Sequence, residues 1–229
     1  MQSFIGGHMA IEDPSAGRSV FSGFEPTVFV VDDDEAVREA LEALIESAGW
    51  EVQSFASAEA FLACPPASGP NCLVLDIGLP DLNGLDLQAR IAGERGDMPI
   101  IFITGYCDVP MTVRAMKAGA ADFLIKPFGE AELLGAIEAA LDRSRQTVGE
   151  QAALRALRDR HATLSRRERQ VMALVATGLL NKQVGGELGI SEITVKAHRG
   201  HVMEKMRAGS LANLVNISAR LGLAGRAEP

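Results

Sequence analysis

The sequence predicts a five-stranded, parallel, doubly wound α/β domain followed by an all-α domain of four short helices. Three observations lead there. Across residues 26–145, apolar runs of strand length alternate with segments of helical spacing, the pattern of a parallel sheet wrapped by helices. After Leu164 every remaining segment reads as helix and none as strand. Charge also changes sign along the chain: residues 1–145 hold 9 Lys and Arg against 23 Asp and Glu, and residues 146–229 hold 13 against 7. An acidic domain joined to a basic one suggests that only the second meets a polyanion.

The strand candidates are Val28–Val31, Val52–Phe55, Cys72–Leu75, Ile100–Ile103 and Phe123–Ile125, each a short run fit for burial on both faces. Between the first two, Val37, Leu41, Leu44 and Ile45 fall on one face of a helix that Asp34 is placed to cap. Val109, Val113 and Met116 repeat that spacing before Gly119, a natural helix end. Leu133, Leu134, Ile137 and Leu141 give the last helix of this half. Residues 146–162 are rich in Arg, Gln and Ala and read as an exposed helical linker, continuing that last helix. Residues 163–224 then divide into helices at Arg166–Thr177, Lys182–Leu188, Glu192–Arg207 and Leu211–Leu221. Gly178, Gly189 with Ser191, and Gly209 with Ser210 punctuate them.

Composition narrows the class. A chain of 229 residues that is 47% hydrophobic can bury a sizeable core. It contains no apolar run long enough to span a membrane. Residues 1–25 lack the basic start and apolar stretch of a secretory signal and read as a disordered tail. Cys64, Cys72 and Cys107 are odd in number and share no metal-ligand spacing, which fits reduced thiols in a cytoplasmic protein.

In a doubly wound sheet, ligands collect outside the carboxyl ends of the strands. Those ends carry Asp32-Asp33-Asp34, Asp76, Thr104 and, just past the last strand, Lys126. Clustered carboxylates repel one another unless a cation offsets them. A hard divalent ion such as Mg²⁺ suits oxygen ligands that also handle phosphate. Asp76 is then a carboxylate nucleophile able to attack phosphorus, with Lys126 neutralising charge on the transferred group and Thr104 donating its hydroxyl to it. Asp34 is better placed as a helix cap than as a ligand.

In the second half, NKQVGGELGISEITVKAHR has helix-turn-helix punctuation: a short helix, a turn at Gly189, an inward Ile190, and a second helix capped by Ser191. Ile193, Val195, Val202 and Met206 are placed to pack inward, leaving Thr194, Lys196, His198, Arg199 and Lys205 outside. The second helix of such a unit lies in the major groove and presents its first residues to base edges. Lys182, at the start of the preceding helix, suits a phosphate contact. The adjacent glycines Gly185 and Gly186 are expected to soften their helix, at roughly 0.5–1 kcal/mol each relative to alanine.

The segments VFVVDDDEAVR, LVLDIGLPDLNGLDL, IIFITG and ADFLIKPF resemble the response-regulator receiver domain throughout residues 26–145, closest to the FixJ type. Residues 163–224 are similar to the LuxR/FixJ-type DNA-binding domain at Leu164, Glu168, Gly178, Asn181-Lys182, Thr194-Val195-Lys196, His198 and Met206. The resemblance implies a two-component response regulator with Asp76 as phosphoacceptor. Asp32, Asp33, Asp76 and the carbonyl of Gly78 would form the Mg²⁺ site, Lys126-Pro127 a cis peptide, and Phe123 an aromatic relay, with Tyr106 a second aromatic candidate. It implies a sensor histidine kinase as donor, promoter DNA and RNA polymerase as partners, and a homodimer on activation, its last helix (Leu211, Leu214, Val215) serving either as dimer helix or as core. Aspartate-based phosphatases share the chemistry but carry a second Asp two residues after the nucleophile. Gly78 stands there, so the chain is not expected to be an enzyme beyond its own phosphoryl transfer and dephosphorylation. Gly78 also leaves the approach to Asp76 open, which bears on how long a phosphoryl group would persist.

Overall fold

The computed structural model describes residues 25–95, 98–105 and 109–223. The expected tail over residues 1–25 therefore lies almost wholly outside the described residues, as do Tyr106 and Cys107. The chain divides into two compact units, with the boundary between Arg145 and Gln146.

The first unit alternates strand and helix: β1 (Thr27–Val31), α1 (Glu35–Ser47), β2 (Glu51–Phe55), α2 (Ala58–Ala63), β3 (Asn71–Asp76), α3 (Gly84–Glu94), β4 (Ile100–Thr104), α4 (Val109–Lys117), β5 (Asp122–Ile125) and the first half of α5 (Glu130–Ala162). The five strands pair in parallel in the order β2-β1-β3-β4-β5. Val28 and Val30 face one core with Leu41, Ile45, Leu133 and Ile137. Phe29 and Val31 face the other with Phe61, Leu75, Leu87 and Phe102. That two-sided burial explains why β1, β3 and β4 read as continuous apolar runs. β2 differs: it is an edge strand whose residues are half-buried or exposed, and Ile125 on the opposite edge is 53% exposed.

Asp34 caps α1 as expected, its carboxylate accepting from the backbone N–H of Ala36 at 2.9 Å. α4 departs from expectation. Val109, Val113 and Met116 lie on its exposed side, while Ala115 is buried and Met111 packs partly against the sheet. A small residue lets the helix backbone approach the sheet closely, so the apolar stripe in the sequence marks the outer face.

In the second unit, the rest of α5 is followed by α6 (Arg166–Ala176), α7 (Asn181–Leu188), α8 (Glu192–Lys205) and α9 (Leu211–Arg220). Their core holds Val171, Met172, Val175, Val184, Val195, Val202, Met206 and Leu214. Leu157, within the segment read as an exposed linker, is buried in this same core. Ser165 and Glu168 form a reciprocal capping box at the start of α6. Gly189 adopts φ 65°, a left-handed conformation that closes α7 and turns the chain toward α8. Ile193 corrects the sequence reading: it points away from the core and is 82% exposed.

Candidate functional site

Strand register assembles the pocket. Val31 pairs with Leu75, so Asp32 and Asp76, one residue on from each, emerge side by side from β1 and β3. β1 and β3 are neighbours at the point where the strand order reverses, where open α/β sheets place their ligands. Thr104 ends β4 beside Ile125 of β5, and the Lys126 N–H donates to the Thr104 carbonyl at 2.8 Å, bringing Lys126 to the same rim. The Lys126-Pro127 peptide is cis.

Asp32, Asp33 and Asp76 each offer a carboxylate oxygen, all within 4.8 Å of one another. Asp32 is buried, one oxygen accepting the Asp34 N–H at 3.0 Å and the other the Lys126 ammonium at 2.7 Å. The same ammonium stands 3.8 Å from Asp76. Asp33 is exposed at the mouth. Burial pushes the Asp76 carboxyl above the usual carboxylate range, with Asp32 and Asp33 adding to the rise. Lys126 and the backbone N–H of Gly78 oppose it. Three hard oxygen donors, one of them a destabilised carboxylate, fit a divalent cation such as Mg²⁺, whose charge would relieve that repulsion.

Three supporting residues escaped the sequence reading. Arg38 on α1 donates to the carbonyls of Asp32 and Asp33 at 2.8 and 3.0 Å, holding the acidic turn in place. Gly84 lets the loop after β3 fold tightly. A Cβ there would sit 2.9 Å from the Ile77 Cα and 3.0 Å from the Asp76 carbonyl oxygen. Glu168, noted only as part of the resemblance, anchors the second unit as described below. At Gly78, by contrast, a Cβ would meet only an Asp76 carboxylate oxygen, at 3.6 Å. Thr104 is buried, and Phe123 is half-buried with its ring centroid 6.3 Å from that of Phe102.

On the second unit, α7 and α8 form the expected helix pair. Ser191 caps α8 by accepting the Thr194 N–H at 3.1 Å, and its hydroxyl lies 2.8 Å from the Thr194 hydroxyl. Lys182, Thr194 and Lys196 are exposed. Arg199 is half-buried and donates to Asn181 Oδ1 at 3.1 Å, tying α8 to the start of α7. Lys205 has an intramolecular partner that its outward reading did not anticipate. Its ammonium lies 2.7 Å from Glu168, whose carboxyl it holds at about 2 together with the Ser165 N–H. The other Glu168 oxygen faces His201 Nδ1 at 3.6 Å, and half-buried His198 lies within the same group.

A carboxylate pocket at the ends of a doubly wound sheet, joined to a helix-turn-helix unit, is the architecture of a DNA-binding response regulator. Residues 28–138 match the response regulator receiver domain, and residues 162–218 match the bacterial regulatory proteins of the luxR family. The chain belongs to the two-component response regulators of the FixJ type and is a transcription factor with a LuxR-type DNA-binding domain. It is similar to nodulation protein W of Bradyrhizobium diazoefficiens, at 54% identity over 86% of both chains. It is 43% identical to the transcriptional regulatory protein FixJ of Rhizobium meliloti over 89% of this chain and 98% of that one. Among solved structures it resembles the response regulator StyR, at 47% identity and a TM-score of 0.78, covering 86% of this chain and all of that one. Among the described residues, no helix is long and apolar enough to cross a membrane.

Proposed function

We propose that Asp76 accepts a phosphoryl group from a sensor histidine kinase, and that this modification drives dimerisation and promoter binding through α8. The observation that carries the reading is the grouping of Asp32, Asp33 and Asp76 within 4.8 Å, with Lys126 bridging two of them. An Asp76 carboxylate oxygen attacks phosphorus; the bond to the kinase histidine nitrogen breaks, and that nitrogen leaves with the electron pair. The raised basicity of the buried carboxylate favours the attack. Asp32, Asp33, Asp76 and the Gly78 carbonyl would hold Mg²⁺, which when bound offsets charge on the phosphoryl oxygens. Lys126 supplies a second positive charge to those oxygens, and the Thr104 hydroxyl donates to one of them, a change that Phe123 relays to the surface. The chain promotes only its own phosphoryl transfer and dephosphorylation.

Exposed Val113 and Met116 on α4 and Ile125 on β5 support an apolar dimer face in the first unit. Leu211 and Val215 on α9 are partly exposed while Leu214 is core, so α9 has apolar surface left for a second copy. Two copies would set two α8 helices into half-sites about one helical turn apart. Lys182 supplies positive charge to the phosphates, Lys196 and Arg199 reach guanine edges or phosphates, and the DNA-bound dimer engages RNA polymerase in the cytoplasm.

The decisive test is incubation with acetyl phosphate and Mg²⁺, followed by mass spectrometry. The wild type is expected to gain one phosphoryl group and Asp76→Asn none. Stoichiometric labelling of Asp76→Asn would overturn the assignment.

A further inference from the structure

We propose that Ile193 reads the C5-methyl group of thymine in the major groove, as an apolar specificity contact at the start of α8. The inference rests on the DNA-binding reading above and goes beyond it by assigning a base to one side chain. Ile193 is the second residue of α8 and, at 82%, the most exposed large hydrophobic side chain among the described residues. The core beneath it is complete without it: Val195 and Val202 on the same helix, and Met206 at its C-cap, are fully buried. Ile193 is neither part of that core nor packed against it, so its aliphatic surface is left for a partner.

Its neighbours define what it faces. Glu192 carries the charge of the phosphates and would be repelled by them. The Thr194 hydroxyl is engaged with the Ser191 cap at 2.8 Å. Lys196 lies three positions along, on the same face as Ile193, and is exposed. A cation beside an aliphatic group suits the floor of a major groove, where acceptor edges of guanine and methyl groups of thymine lie together. The first turn of the second helix is also the part of this unit that enters the groove deepest.

An isoleucine cannot hydrogen-bond, so it distinguishes bases through the methyl group alone. Cytosine at that position offers an amine, which would lose water under an aliphatic cover without gaining a partner. The chemistry therefore selects a thymine, once in each half-site.

The test begins by selecting binding duplexes from a random library with the full-length phosphorylated protein. Each thymine of the best duplex is then replaced singly by deoxyuridine, which differs only in lacking the methyl group, and affinity is read by fluorescence anisotropy. At one thymine per half-site, the wild type is expected to lose about fourfold, the factor that burying one methyl group supplies. Ile193→Ala should bind the thymine and deoxyuridine duplexes equally, and Ile193→Val should restore the difference. Because the side chain is exposed, the variants are expected to fold as the wild type does, checked by circular dichroism. A scan with no methyl-sensitive position, or one that Ile193→Ala leaves unchanged, overturns the assignment while sparing the DNA-binding reading. Failure to select any duplex overturns both.

Discussion

The adjacent glycines Gly185 and Gly186 on α7 should respond to alanine in opposite directions. At Gly186 an added Cβ meets nothing within 4 Å, so alanine brings only its helix preference, about 0.5–1 kcal/mol of stabilisation. At Gly185 the same Cβ would sit 2.8 Å from the carbonyl oxygen of Ile190, with the Glu192 nitrogen and Ser191 carbonyl carbon just beyond, at 3.7 and 3.8 Å. That contact is to backbone, which cannot swing aside as a side chain would. The turn must therefore move, at an overpacking cost of about 1–3 kcal/mol that exceeds the gain in helix preference. The turn is also pinned from the other side, because the Ile190 N–H donates to the Gly185 carbonyl at 3.0 Å. For a domain of this size, each kcal/mol moves the melting temperature by roughly 4–8 °C. Circular dichroism follows the helical unit, while the single tryptophan, Trp50, reports on the first unit alone and separates the two transitions. Gly186→Ala should melt higher and bind DNA as the wild type does. Gly185→Ala should melt lower and bind more weakly, since the displaced turn carries the Ser191 cap of α8. Equal shifts in the same direction would refute the close-approach argument.

In Mg²⁺-free buffer the receiver should lose stability as pH rises through the elevated titration of Asp76, because its folded form binds that proton more tightly than the unfolded chain does. Asp76→Asn should accordingly melt above the wild type in EDTA by tryptophan fluorescence; an unchanged melting temperature would remove the repulsion argument. Glu168, held at about 2 against an ordinary 4.5, contributes stability that is full above 4.5 and is lost as pH falls toward 2. Because its partner Lys205 is 39% exposed and screened by solvent, Glu168→Gln should cost about 2 kcal/mol at pH 7 and flatten the acid limb of urea denaturation curves. At Gly78 there is room for a side chain beside the Asp76 carboxylate. Gly78→Asn should therefore leave the extent of phosphorylation intact and slow its decay severalfold after donor removal, and an unchanged decay would show that access does not set the lifetime.

The strands were legible because a parallel sheet covered on both sides leaves runs such as Cys72–Leu75 with no polar interruption. The pocket was legible for a related reason: its side chains follow directly on those runs, so finding strand ends also finds Asp32, Asp76, Thr104 and Lys126. Helix faces were read less well. Apolar spacing shows that a stripe exists but not what covers it, and on α4 the stripe of Val109, Val113 and Met116 faces outward. Ile193 is the same error on a smaller scale. Lys205 illustrates another limit, for a basic residue on an outer helix face looks alike whether it meets DNA or a carboxylate 37 positions earlier. Arg38 and Gly84 act on the backbone of the site, and a sequence marks neither kind of contact.

The pocket is best understood as an unfinished balance of charge. Asp32 spends both of its oxygens inside the protein, one on the Asp34 N–H and one on Lys126. Lys126 is therefore held 2.7 Å from Asp32 while standing 3.8 Å from Asp76, close enough to oppose the rise in the Asp76 pKa but not to cancel it. Had the ammonium paired with Asp76 instead, it would oppose the effect of burial more strongly and the carboxylate would be a poorer nucleophile. Asp32 thus acts partly as a holder that keeps the lysine in reserve. A phosphoryl group on Asp76 would bring more negative charge than a single carboxylate, and the same ammonium, only one side-chain movement away, would then find a stronger partner there than Asp32. Burial that raises the Asp76 carboxyl and a lysine stationed on its neighbour are two parts of one arrangement, each of little use without the other.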